Sequence, residues 1–402
     1  MYPPYTISPY QGLLNILDIQ VPDYDGAFDC NSTLTKGVKI SQYGCHSIPA
    51  SSVEECCQSC GKLSGCNYFS YESGNCGLYP TSGEMRPAKD SITGKCIKKL
   101  PPSSWICNDD NDACIAYDDG SDLDVSSKLA KEASVVIVVV SQFSKEGSDR
   151  DNISFDVEHS STCQVVPKHQ NDLVSTVAAT GTPTIVAATA PGPVLMPWKD
   201  EVDSILYAGL PGQEYGNALA NLIFGNVNPS GKLTFTIPNI ENEVGFSILQ
   251  YPGVKLEEEY LERSKIDYRW YTSNNVIPAY PFGHGLSYTS FEYSQLAIAK
   301  DLLDWKVTVS VKNSGEVAGA EVVQLYIEFP KRARAPPLQL KGFQKTPLIE
   351  ANGLVGVELK LTRKDLSIWD VINHQFVVIP GDYTVRVGSS SSDLRLSAPL
   401  RV

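Results

Sequence analysis

The chain predicts an α/β domain with a mainly parallel sheet flanked by helices (an α/β sandwich), interrupted early by a cysteine-rich insert and followed by an all-β sandwich. Three observations predict this. Between residues 122 and 224, apolar β-branched runs alternate with helical patterns, which implies strands joined through helices into one sheet. Residues 27–104 are rich in Cys, Ser and Gly and poor in apolar runs. From Phe291 onward only short alternating strand patterns occur, separated by Gly, Asn and Asp turns.

At 402 residues the chain is long enough for two or three domains, each burying its own core. Lys plus Arg total 33 against 46 for Asp plus Glu, a net charge of −13, and no basic run of five occurs. Nucleic acid and membrane surfaces are therefore not expected as partners. No stretch approaches about 18 apolar residues, so no transmembrane helix is expected. The opening MYPPYTISPYQG lacks the basic start and apolar run of a signal peptide. Yet ten of eleven cysteines crowd between Cys30 and Cys114, which argues for an oxidising, extracellular setting. The two readings agree if Met1 is not the natural start. The tripeptides Asn31-Ser32-Thr33 and Asn152-Ile153-Ser154 make Asn31 and Asn152 glycosylation candidates on a secretory route.

In chain order, a proline-rich lead precedes a short helix over Gln11–Ile19, with Leu13, Leu14 and Leu17 at helical spacing. Within the insert, Val53–Cys60 reads as a helix carrying Cys56, Cys57 and Cys60, and Asn67–Tyr71 as a strand. A zinc site on that helix is the alternative to disulfides, and the secreted setting favours disulfides. Eight cysteines permit 105 pairings, so the spacing leaves connectivity open. Cys107 and Cys114 lie outside the insert and are expected to pair locally, which leaves Cys163 as the odd one.

From Asp122 the α/β pattern resumes. It comprises a helix at Leu123–Glu132, a central strand at Ala133–Ser141, a helix at Gln170–Thr180, strands at Thr184–Ala190 and Val202–Ala208, and a helix at Gln213–Phe224. Gly209, Pro211 and Gly212 lack the spacing of a phosphate cradle and read as a turn, with Glu214 in the first turn of the last helix. Residues 239–290 connect, rich in Tyr and Pro, and His284 in PFGHGLSYT reads as structural rather than catalytic. Asp304-Trp305 lies in a predicted sandwich strand and is discounted as a catalytic pair.

The run Val135–Val140 reads as a strand buried on both faces, and it opens into SQFSKEGSDRDNISF. Chemistry in open α/β sheets gathers at the carboxyl ends of strands, and this loop carries Lys145, Glu146, Asp149, Arg150 and Asp151 within seven positions. A solvated charged loop is the plain alternative. The segment SKEGSDR resembles the acid/base loop of family 3 glycoside hydrolases, the β-glucosidase and β-xylosidase group. Further similarities follow in that family's order: YAGLPGQEYGNALANLIFGNVNPSGKLTFTIP, YRWY, PFGHGLSYTSFEY and VKNSGEVAGAEVVQLYI. Likewise VEECCQSCGKLSGCNYFSYESGNCGLY resembles an apple/PAN module.

These resemblances imply an α/β domain over residues 1–26 and 105–290, with an acid/base loop at 141–155. They also imply an apple/PAN-like insert over 27–104 and a fibronectin type III-like domain over 291–402. The module's resemblance suggests Cys60 with Cys66, Cys56 or Cys57 with Cys76, and Cys30 with Cys96. The family resemblance makes Glu146 the general acid/base of a retaining, exo-acting hydrolase of β-linked glycosides, with Asp149 and Arg150 as an ion pair bracing the loop and no cofactor or metal. Retention needs two carboxyl groups about 5 Å apart. In the family the nucleophile is an Asp on a preceding TIM-like barrel, the partner domain missing here, so the isolated chain is expected to be inactive. Three departures from the family pattern bear on activity: Lys145 where a small residue is common, Ser148 where an aromatic often stands, and the insertion DVEHSSTCQVVPK before His169. An inactive glycan- or protein-binding protein built from the same domains is the alternative.

Overall fold

The computed structural model describes residues 8–19, 28–29, 35–40, 46–62, 68–72, 75–79, 85–95, 97–98, 105–108, 110, 113–142, 144, 146–147, 150, 152–156 and 169–402. The chain divides into two compact units, residues 1–191 with 196–220 and residues 192–195 with 221–402.

The first unit is built on three parallel strands, Val136–Ser141, Thr184–Thr189 and Ser204–Ala208, in that spatial order. Thr184–Thr189 is thus the middle strand, and its Val186, Ala187 and Ala188 are fully buried. The expectation of a doubly buried central strand at Val135–Val140 is corrected. Val138 and Val140 are buried, but Val135 and Val139 are exposed: successive side chains point to opposite faces, and the face that carries Val139 and Ser141 stays open. Between the first two strands runs the helix Gln170–Ala178, buried through Val174 and Val177. The helix Leu123–Glu132 begins as its residues dictate: the Asp122 side chain accepts from the N–H groups of Asp124 and Val125, and Lys131 sits at the negative end.

The first helix, Pro9–Ile16, is capped by Ser8 and buries Tyr10, Leu13 and Leu14. Tyr10, Leu14 and Ile19 pack with Leu17, Ile106, Ile115 and Tyr117. Its Gly12 lies so close to the helix Tyr215–Ile223 that an added Cβ would stand 2.1 Å from the Gly216 carbonyl oxygen. Residues on either side of the cysteine-rich stretch therefore share one core. Glu214 stands just before that last helix rather than in its first turn.

The cysteine-rich stretch forms a five-stranded antiparallel sheet ordered Thr35–Ile40, Met85–Lys95, Tyr68–Glu72, Asn75–Tyr79, His46–Pro49. Its helix, Val53–Lys62, starts at a capping box: Ser52 Oγ accepts from Glu55 N–H, and the Glu55 carboxylate accepts from Ser51. Those bonds hold the Glu55 carboxyl below its usual range. Cys56 is disulfide-bonded to Cys76, and Cys107 to Cys114. Cys57 and Cys60 are disulfide-bonded as well. Cys30, Cys66, Cys96, Cys163 and Asn31 lie outside the described residues.

In the second unit, one sheet runs Phe291–Asp301, Asp304–Asn313, Leu354–Leu361 and the other Gln339–Lys345, Val322–Glu328, Asp382–Gly388, Leu394–Arg401, all antiparallel. Alternation along Asp304–Asn313 turns Val307, Val309 and Val311 inward against Leu325, Ile327, Val385 and Val387. Trp305 joins this core, and Asp304 pairs with Lys360 at 2.9 Å. Tyr383 donates its hydroxyl toward the carbonyls of Leu366 and Ile379. By packing, residues 221–290 belong to this unit. Gly283 shows why: at φ +81° it admits the Gln324 side chain, whose amide donates to the Gly283 and Ser389 carbonyls. Lys232 donates to the Gly285 carbonyl at 2.7 Å and pairs with buried Glu321 at 3.0 Å. His284 is held in this strap, its backbone bonded to Leu233 and Pro281.

Candidate functional site

The carboxyl ends of the three parallel strands meet where Ser141 and Gln142, Thr189 and Ala190, and Tyr207 and Ala208 lie side by side. Gln142 N–H continues the ladder to the Thr189 carbonyl at 2.9 Å, and Ala190 N–H reaches the Ala208 carbonyl at 3.1 Å. The loop leaving the first strand is bound at both ends by side-chain amides. Buried Gln142 donates to the carbonyls of Ser154 at 2.6 Å and Asn152 at 3.3 Å. Buried Gln170, at the start of its helix, accepts from Ser141 N–H and donates to the carbonyls of Ser141 and Phe155. A buried amide costs free energy unless its donors and acceptors are used, and here they are.

Asp156 supplies what the helix Gln170–Ala178 lacks locally. His169 precedes that helix in a left-handed conformation with no capping side-chain bond. The Asp156 carboxylate accepts instead from the Asn171 N–H at 3.0 Å and its side-chain amide at 2.8 Å. Asn171 also accepts from the indole of fully buried Trp198 at 2.8 Å, and the Trp198 ring lies 6.2 Å from that of Phe155. The returning end of the loop is thus tied to helix, strand and core together.

On this base stands Glu146, exposed to solvent in a turn with Gly147 at φ +75°. Arg150 donates to the Gln142 side-chain oxygen, and its charge reaches Tyr207. Burial pushes the Tyr207 phenol up to about 12, with Arg150 acting the other way, so this hydroxyl is a neutral donor, 3.3 Å from the Ala190 carbonyl. Lys145, Ser148, Asp149 and Asp151 lie outside the described residues, so the expected Asp149–Arg150 pair does too. Asn152 accepts from Ser154 N–H through its side-chain oxygen and is half-buried. Among the described residues, no group of three His, Cys, Asp or Glu side chains is placed to hold a metal ion.

The sequence pointed to Glu146 and Arg150 as candidates but not to Gln142, Gln170, Asp156, Asn171, Trp198 and Tyr207, which the structure places around the loop. The signal for some was present. Gln142 is the first polar residue after an apolar strand, and Gln170-Asn171 opens a predicted helix. What paired them with residues 10 to 29 positions away is the fold.

Residues 1–288 match the glycosyl hydrolase family 3 C-terminal domain, and residues 321–391 the fibronectin type III-like domain. A probable beta-glucosidase L of Aspergillus terreus is 40% identical over 314 residues, covering 70% of this chain and 40% of that protein. The crystal structure of a beta-D-glucoside glucohydrolase from Trichoderma reesei is similar with a TM-score of 0.62 at 32% identity, over 70% of this chain and 42% of that one. Beta-glucosidase 3B from Thermotoga neapolitana, solved with alpha-D-glucose, is similar with a TM-score of 0.62 at 34% identity, over 70% and 39%. The chain spans about two fifths of the length of these proteins. With the matched domain covering the parallel sheet and its loop, the chain belongs to glycosyl hydrolase family 3, of which it carries the C-terminal domain and a fibronectin type III-like domain.

Proposed function

We propose that these residues are the C-terminal portion of a retaining, exo-acting hydrolase of terminal β-glucosidic bonds, with Glu146 as general acid/base. The observation that carries this is an exposed carboxylate on a loop anchored at the carboxyl ends of parallel strands by Gln142, Gln170 and Asp156, in a chain of this family. The glucose-bound relative supports a glucoside as substrate. In this reading Glu146 protonates the leaving oxygen and then deprotonates water. The nucleophilic carboxylate comes from a TIM-like barrel outside these 402 residues, and Arg150 with Asp149 braces the loop.

The domains in this reading are residues 1–26 with 105–290, an apple/PAN-like insert at 27–104, and the sandwich at 291–402. The shared core of residues 8–19 and 105–117 supports an insertion between them. The disulfides support a secreted, extracellular protein, with Asn31 and Asn152 as glycan acceptors.

The test is Glu146→Ala in the enzyme with its barrel. Turnover of alkyl glucosides, whose leaving groups need a proton, should fall by about 10²–10⁴-fold, and that of activated aryl glucosides far less. Equal losses on both would move the role to another residue. No turnover by the wild-type protein would favour an inactive glycan-binding one.

A further inference from the structure

The net −13 of the chain rests on residues 1–220, because residues 221–402 carry 19 Lys and Arg against 19 Asp and Glu. Within that neutral half the charges are uneven. Between Glu328 and Glu350 stand Lys331, Arg332, Arg334, Lys341 and Lys345 and no carboxylate. The turn after the strand Val322–Glu328 sets three of them outward. Ala333 is its buried residue, its N–H on the Pro330 carbonyl at 2.8 Å, and Lys331, Arg332 and Arg334 around it are exposed.

Phe329 links this turn to two more cations. Lys341 Nζ stands 5.3 Å from the centre of its ring, and the ring lies 5.4 Å from that of Tyr383, which the Arg332 charge reaches. Lys341 is half-buried, and burial pushes its ammonium below the usual range, with Asp365 opposing and Arg269 acting with the burial. Arg269 comes from the helix Tyr268–Asn274, which is tied to the Lys341 strand by the Leu340 N–H donating to the Tyr268 hydroxyl at 2.9 Å. Among the described residues, none of Arg269, Lys331, Arg332, Arg334 and Lys341 is ion-paired. The nearby carboxylates are engaged elsewhere: Glu328 with Arg386 at 2.8 Å, Asp365 with the N–H and hydroxyl of Thr362, and Asp267 with the Thr236 N–H. Like charges held together without counter-ions cost free energy that a bound anion offsets.

We propose that this cationic face binds an acidic polysaccharide, through carboxylates carried on its sugar rings. The planar guanidinium forks of Arg332 and Arg334 match the geometry of a carboxylate. Lys331 also lines a hollow of about 500 Å³, walled by Phe329, Pro330, Pro337, Thr272 and Ser391, which is within the size range of small-ligand sites. Its apolar walls suit the C–H faces of a sugar ring. Thr272, whose hydroxyl donates to the Tyr268 carbonyl at 2.8 Å, keeps lone pairs to accept from a sugar hydroxyl. A nucleic-acid strand is less well served, because base stacking needs open rings, whereas Lys341 stands over Phe329 and Arg269 over buried Tyr268. The acidic residues 1–220 repel a polyanion, which confines it to this face.

Binding is measured without turnover, so the outcome is independent of the role of Glu146. Calorimetric titration of the 402-residue chain with polygalacturonate should give a dissociation constant that weakens between about 0.01 and 0.15 M salt, while a neutral glucan of the same length should not bind. Arg332→Gln combined with Arg334→Gln should bind about tenfold more weakly, and Arg332→Lys with Arg334→Lys should stay closer to wild type. Lys306→Gln with Lys360→Gln removes the same charge from the other sheet, where both lysines are ion-paired, and should leave binding unchanged. If the arginine variant does not fold, Lys331→Gln serves the same comparison. Absence of binding by wild type overturns the proposal, as do equal losses in the two Gln pairs or equal binding of the neutral glucan. Tighter binding of a single-stranded oligonucleotide, or a sedimentation mass of two chains that falls to one in the arginine variant, overturns it as well.

Discussion

The loop that carries Glu146 is held by Gln142, Gln170 and Asp156. Asp156 is the clearest, because its carboxylate occupies the positive end of the helix Gln170–Ala178 and holds Asn171 against Trp198. Asp156→Ala removes the cap and takes from the half-buried Asn171 amide one of its two acceptors. It should lower stability by about 1–2 kcal/mol, measured by urea unfolding of the chain. An unchanged midpoint would show that water replaces the carboxylate at no cost.

His284 offers a pH readout of the strap. Burial, then Lys232, pushes its imidazole below the usual range, with Asp393 opposing, and the Tyr280 ring lies 5.3 Å away. The fold therefore holds it neutral, whereas the unfolded chain binds a proton below about pH 6.5. Its contribution is complete above that pH and is lost as pH falls from about 6.5 toward the lowered folded value. Stability should thus rise with pH across this window, and His284→Asn should flatten the slope. A slope unchanged in the variant would assign the dependence to another group.

At the scale of elements, the cysteine helix and the parallel strands illustrate different kinds of support. The helix Val53–Lys62 presents Cys56, Cys57 and Cys60, all fully buried, to a sheet whose fully buried residues include Phe69 and Cys76. Crosslinks make up for a small apolar core. Replacing Cys56 and Cys76 together by Ser should cost about 2–4 kcal/mol. Mass spectrometry of the unreduced wild type should recover the Cys56–Cys76 and Cys107–Cys114 peptides as bridged pairs. Free thiols with bound zinc would contradict both. The parallel strands need no crosslink, because ladder bonds and the Val174 and Val177 face of one helix hold them.

At the scale of the whole molecule, each unit has its own core: parallel strands under the helix Gln170–Ala178 in one, the Val307–Val387 cluster in the other. Both should fold without further chain, since compact units with separate cores do so. The isolated 402 residues should nonetheless hydrolyse neither aryl β-glucosides nor β-xylosides, because a double displacement needs a nucleophile as well as a proton donor. Addition of the barrel domain in trans is the companion measurement. Activity from the chain alone would place the nucleophile within it, with Asp149 and Asp151 as first candidates.

By itself the sequence determined the classes of structure and singled out the loop proposed to carry the chemistry. The apolar run ending at Ser141, the charged loop after it and the alternating strands beyond Phe291 were each legible, because burial periodicity and turn residues are local properties. The helix Leu123–Glu132 was readable to the residue from Asp122 and the run that follows it. The tertiary structure alone decided that Thr184–Thr189, not Val136–Ser141, lies in the middle of the sheet, because strand order depends on crossovers that carry no periodic mark. It alone decided that residues 221–290 pack with the sandwich, through Lys232–Glu321 and Gln324–Gly283, and that Gln142, Gln170 and Asp156 hold the loop. A polar side chain can satisfy its hydrogen bonds against water or against a distant backbone, and only the fold says which.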